Sequence, residues 1–163
     1  MAQLIAERLT GEVADSYSNS AMQWGIDHED EARVAYEFYE NAKVQEIGFV
    51  QHQNLESGAS PDGLVGDDGL IEIKCPNTAT HIQTLLDQKI PQKYETQMLW
   101  QMECTERKWC DFVSYDPRMP EDLKGYVKRF ERDDKRLDEI RTMVADFIGE
   151  LEDKLTALEK LEK

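Results

Sequence analysis

Between Ser60 and Pro76 the chain reads SPDGLVGDDGLIEIKCP, and this stretch leaves the backbone little choice. Leu64-Val65 is a short apolar run, Gly66-Asp-Asp-Gly69 offers residues that tolerate the positive φ of a tight turn, and Leu70 to Lys74 reads as the returning strand of a hairpin. Side chains on a strand alternate between faces, so Glu72 and Lys74 project together while Ile71 and Ile73 project to the other side. Asp62 stands across the hairpin from them. The isoleucines must be buried, which carries Glu72 and Lys74 to positions where a charge is costly unless it is paired or binds a metal.

Two carboxylates on neighbouring strands, Asp62 and Glu72, supply the hard oxygen ligands that suit Mg2+. Lys74 beside them is placed to orient or deprotonate a water and to meet charge that develops in a transition state. These are the parts of phosphodiester hydrolysis, in which an ion polarises the phosphoryl oxygen and activates water. Taken alone, the same residues also fit a solvent-facing alternation on an edge strand, with Asp62 as a turn residue, because short motifs match by chance.

At 163 residues the chain has the size of one domain with a real core, read as a single domain over 1–163. It has no run of about 18 apolar residues and no basic-then-apolar N-terminal segment, so no membrane partner and a cytoplasmic location are expected. Cys75, Cys104 and Cys110 are an odd number without CxxC spacing, which argues against a disulfide framework or a zinc site and for free thiols. The net charge of −15 counts against broad, phosphate-driven nucleic-acid binding but leaves room for a local basic channel. Residues 27–40 are rich in acids, while 124–136 holds Lys124, Lys128, Arg129, Arg132, Lys135 and Arg136.

Residues 2–10 are predicted as a short helix stopped by Gly11, and a longer helix capped by Ser18 or Asn19 runs to about Lys43. On it Glu29 shares a stripe with Ile26, Arg33 and Tyr36, as a candidate ligand or as the partner of Arg33 one turn on. Val44 to Val50 has strand composition, Thr78 to Leu86 has helical spacing, and Pro91 suits the first turn of a helix ending near Glu103. That helix places Tyr94, Gln97 and Gln101 on one face, with Gln97 open to reading as a solvated polar residue. Trp109 to Tyr115 and Tyr126 to Arg132 read as paired strands. A final helix from Asp133 carries Leu137, Ile140, Val144, Phe147, Leu151, Leu155 and Leu158, for packing across the sheet or for a subunit contact. This order indicates an α/β sheet with helices on its faces. His28, His52 and His81 lack ligand spacing, and His28 reads as a surface residue.

Five motifs occur in one order: Trp24-Gly-Ile-Asp-His-Glu-Asp-Glu-Ala-Arg33, Ser60-Pro-Asp-Gly-Leu64, Glu72-Ile-Lys-Cys-Pro76, Tyr94-x-x-Gln97 and Tyr115-Asp-Pro-Arg-Met119. Together they resemble the phage lambda exonuclease family of viral recombination nucleases, over nearly all of the chain. The resemblance implies a restriction-endonuclease-like core with a central mixed β-sheet flanked by helices. It also implies a Mg2+-dependent 5′-to-3′ exonuclease on double-stranded DNA ends that leaves a 3′ single strand for an annealing recombinase. By position, Glu29, Asp62, Glu72 and the carbonyl of Ile73 match metal ligands for two Mg2+ ions, with Mn2+ as a substitute. Asp62, Glu72, Lys74 and Gln97 match the catalytic set, in which Lys74 activates or orients water and Gln97 assists it. Ser60 matches a serine that contacts the terminal 5′-phosphate. The family forms ring-shaped homotrimers, and it implies a bacterial host cell with phage or prophage origin. Two departures stand out: the family's upstream segment, which carries further phosphate contacts, has no counterpart before Met1, and His52 stands where an aspartate lies near the metals. An endonuclease of the same superfamily and a non-catalytic DNA-end-binding relative are the alternatives.

Overall fold

The computed structural model describes residues 1–13 and 19–161. Five strands make the main sheet, in spatial order β1 (Val44–Gln45), β4 (Gly63–Val65), β5 (Gly69–Lys74), β6 (Trp109–Tyr115) and β7 (Gly125–Glu131), while β2 (Val50–Gln51) and β3 (Gly58–Ala59) pair separately. The β4–β5 hairpin forms as its turn residues dictate, with Gly66 at φ 55° and Leu64 opposite Leu70. Continued two steps, that register brings Asp62 opposite Glu72. β5 and β6 run parallel and the other pairs antiparallel, so the sheet is mixed. The parallel pair needs a crossover. It is supplied by α3 (Thr78–Asp87), a 3-10 turn over Gln92–Tyr94 and α4 (Glu95–Thr105).

Strand alternation divides the core in two. Leu70, Cys110 and Phe112 face α4, whose Met98, Leu99 and Met102 are fully buried, and α5 (Asp134–Glu159) closes this layer with Leu137 and Ile140. Ile71, Ile73, Val113 and Tyr115 face the opposite way, onto Ala32 and Tyr36 of α2 (Ser20–Glu40). Helices thus cover both faces of an α/β mixed sheet, as expected of a restriction-endonuclease-like core.

Several expectations change in detail. Val44 to Val50 does not form one strand: its ends pair in different sheets, as β1 and β2. α2 is capped by the Asn19 side chain, which accepts from the Met22 N–H, and it ends at Asn41 in the left-handed conformation, short of Lys43; Ser18, the other predicted cap, lies outside the described residues. Pro91 opens the 3-10 turn, and α4 follows it. α5 shares one core cluster with Leu70, Cys110 and Phe112 of the sheet and also packs against α4 and α1 (Ala2–Thr10), burying Leu137, Ile140 and Leu151 and leaving Leu158 exposed. Among the described residues no helix is long and apolar enough to cross a membrane.

Candidate active site

Glu72 is the centre of the site. It is fully buried on β5, on the face that looks toward α4, and three donors converge on it. Gln97 Nε2 and Lys74 Nζ share its Oε1, the first at 2.7 Å, while Gln101 Nε2 holds Oε2 at 2.6 Å. The arrangement follows from two periods. Residues 72 and 74 share a strand face, and residues 97 and 101 lie one helical turn apart on α4, so both pairs meet across the interface. Gln97 is therefore a partner of Glu72 and not a merely solvated residue.

Asp62 approaches from the bend just before β4, where its Oδ2 accepts the Ile73 N–H at 2.6 Å. Burial and the nearby Glu72 carboxylate push its carboxyl up to about 7, against the Ile73 bond and Lys74, which act to lower it, and Glu29 adds to the rise. For Lys74, burial disfavours the ammonium, but Glu72 and Asp62 outweigh it and raise its pKa, so it stands as a cation. Its Nζ also lies 5.3 Å from the Tyr94 ring centre, which in turn stacks on Phe112.

Glu29 lines a hollow of about 490 Å3 together with Lys74, Pro76, Tyr94 and Met22, and Glu72 lies behind Lys74. The half-exposed Glu29 also pairs with Arg33 at 3.2 Å, the alternative partner its spacing allowed. Ser60 is exposed, two residues before Asp62. The carboxylate oxygens of Asp62, Glu72 and Glu29 are of the kind that suits a hard divalent cation, and such a cation would offset the like charge that, after burial, raises Asp62. Among the described residues no three carboxylate, histidine or cysteine groups are drawn together tightly enough to clasp an ion by themselves.

The remaining candidates resolve as supports. His52 stacks on Trp100 with ring centres 5.2 Å apart and faces Glu103 at 3.6 Å, which places it against the far part of α4. His28 is half-buried on Trp24, and His81 is fully buried between Ser114 and the Leu123 carbonyl. Burial pushes the thiols of Cys75 and Cys104 up to about 12 and about 11, so they are not nucleophiles. The basic run 124–136 is largely spent within the chain, where Lys124, Arg129, Arg132 and Arg136 pair with Glu121, Asp111, Glu103 and Glu95. A larger hollow, about 790 Å3, lies between α2 and β7; of the four acids that line it, Glu31 and Glu121 are engaged by tyrosine hydroxyls, and among the described residues it has no counterpart to the lysine and glutamines gathered together on Glu72.

Residues 2–108 match the model of the YqaJ-like viral recombinase domain family. The chain is 49% identical to an alkaline exonuclease (LHK-Exo) from Laribacter hongkongensis, over 98% of this chain and 81% of that one, with a TM-score of 0.93. A second structure of LHK-Exo, in complex with dAMP, matches equally. A phage-related exonuclease from Haemophilus somnus 129PT, 16% identical over 96% of this chain and 81% of its own, shares the fold with a TM-score of 0.76. No curated protein matches the chain.

Proposed function

This chain belongs to the family of YqaJ-like viral recombinase domains and is a nuclease of the lambda-exonuclease kind, and on that premise we propose that it degrades double-stranded DNA from its ends, 5′ to 3′, with Mg2+. The observation that carries the reading is the buried Glu72 carboxylate, held by Lys74, Gln97 and Gln101 next to an Asp62 whose carboxyl is raised by burial and like charge. A fully buried acid set beside a second, partly buried one and a lysine on a cleft is what hydrolysis of a phosphodiester needs, and it is an unfavourable way to build a core.

Asp62, Glu72, Glu29 and the Ile73 carbonyl would hold the ions. A bound divalent cation supplies polarisation of the phosphoryl oxygen and a nucleophilic water at neutral pH. Lys74 keeps its proton, so its part is to orient the attacking water and meet negative charge in the transition state. Gln97 fixes Glu72 Oε1 beside it. Ser60, exposed at the approach to Asp62, would contact the terminal 5′-phosphate. The product would be a 3′ single strand for an annealing recombinase, in a bacterial cell that carries the phage or prophage. A ring of three copies would confine duplex DNA to a locally basic lumen, which would reconcile a DNA substrate with the −15 charge of each chain.

The test uses linear and covalently closed circular forms of one plasmid with Mg2+. An exonuclease degrades the linear form and spares the circle. Linearisation of the circle would make the protein an endonuclease, and DNA-end binding without degradation would make it a non-catalytic relative.

A further inference from the structure

Gln101 is fully buried on α4, yet its side chain is only half satisfied. Its Nε2 donates to Glu72 Oε2 at 2.6 Å, while its own Oε1 is buried with no hydrogen-bond partner. On packing grounds this is a poor choice. The helix positions around it are Met98, Leu99 and Met102, and an aliphatic side chain there would avoid an orphaned acceptor. A residue that breaks a local rule while aiming its one used group at a catalytic carboxylate belongs to the site rather than to the core.

The two oxygens of Glu72 are also divided between different kinds of neighbour. Oε1 is shared by Lys74 and by Gln97, whereas Oε2 is held by the wholly buried Gln101. We propose that Gln101 is a positioning residue that locks Glu72 from behind, so that Oε1 is presented to the cation and to Lys74 in one orientation. The inference rests on the nuclease reading above and adds a residue that acts through Glu72 without touching substrate. Hydrogen bonds that orient a metal-binding carboxylate alter metal affinity when removed, even though the ligand itself is untouched.

The experiment is a calorimetric titration of the metal-free full chain with Mn2+, for wild type and Gln101→Met, alongside urea unfolding and turnover of linear duplex. Methionine matches the length of glutamine and removes both the donor and the orphaned acceptor. The expected result is a chain that still unfolds cooperatively, at a midpoint below wild type because the buried Glu72 Oε2 loses its donor, with a Mn2+ dissociation constant raised about 10- to 100-fold and a lower kcat. A folded Gln101→Met chain with unchanged Mn2+ affinity would overturn the proposal and leave the nuclease reading intact. Wild type that binds no Mn2+ would overturn the metal reading, and the proposal with it. If the methionine chain does not fold, Gln101→Asn, with its amide one methylene short, must also bind Mn2+ more weakly, and wild-type affinity there would overturn the proposal.

Discussion

Asp116 closes the end of β6 and gives the cleanest test of the electrostatics around the cleft. It is fully buried, and Arg118 holds it as a fork, with Nε and Nη2 donating to its two oxygens at 2.7 and 2.9 Å and the Arg118 N–H adding a third bond at 3.0 Å. The same guanidinium lies 4.1 Å from the Trp24 ring centre, which ties β6 to α2 beside the site. Burial raises the Asp116 carboxyl, but the bonds from Arg118 and Thr78 outweigh it and hold it at about 2 against an ordinary 3.8. The native state therefore binds fewer protons than the unfolded chain between those values. Stability from this group is fully present above the unfolded value and is lost as pH falls through about 2. The separation is worth about 2 kcal/mol at neutral pH, of which about 1 kcal/mol is gone by roughly pH 3. Asp116→Asn keeps the shape but cannot ionise. Urea unfolding of both chains should show a stability gap of about 2 kcal/mol or more at neutral pH, narrowing by about 1 kcal/mol near pH 3. A gap that does not change with pH would refute the reasoning.

Other outcomes follow from the same geometry. Asp62→Asn should abolish activity yet stabilise the metal-free protein at alkaline pH: the native carboxyl, raised to about 7, keeps its proton where the unfolded one has lost it, so wild-type stability falls as pH rises across the window from 3.8 to about 7. Thermal midpoints that show no such pH-dependent advantage would count against it. Gly69→Ala would set a Cβ 2.1 Å from the Trp109 ring, which is itself covered by Arg129 at 3.6 Å, so a loss of about 1–3 kcal/mol is expected in urea; an unchanged midpoint would mean the ring yields freely. Asn77→Ala removes the side-chain cap on the Thr80 N–H at 2.9 Å and should cost about 1 kcal/mol by the same assay, with no loss if water replaces the cap.

The part of the site that lies on strands was legible because a period of two allows few alternatives. Ile71 and Ile73 had to be buried, and that assigned Glu72 and Lys74 to one face, with Asp62 across the hairpin from them. The α4 half was less so. An amide on a helix has no signature until its partner is known, so Gln97 stood open and Gln101 was placed on the right face without a role. Charge was misleading for a related reason: a count along 124–136 cannot tell a free cation from one already spent, and Arg129, Arg132 and Arg136 each have a carboxylate elsewhere in the fold. Short pairings such as Val44–Gln45 and Val50–Gln51 depend on partners distant in sequence, which composition does not reveal. The stripe on α5 was read correctly as apolar, but what it meets besides the sheet, α4 and α1, is a property of the packed chain.

The central claim is that Glu72 and its neighbours hydrolyse DNA from a 5′ end. It is tested by Mg2+-dependent release of nucleotide from linear duplex labelled at either the 5′ or the 3′ end, with Glu72→Ala, shown to be folded, as the control. Early release of 5′ label by wild type, absent in the control, is the predicted result. Release of label that survives in Glu72→Ala, or early release from the 3′ end, would contradict the account.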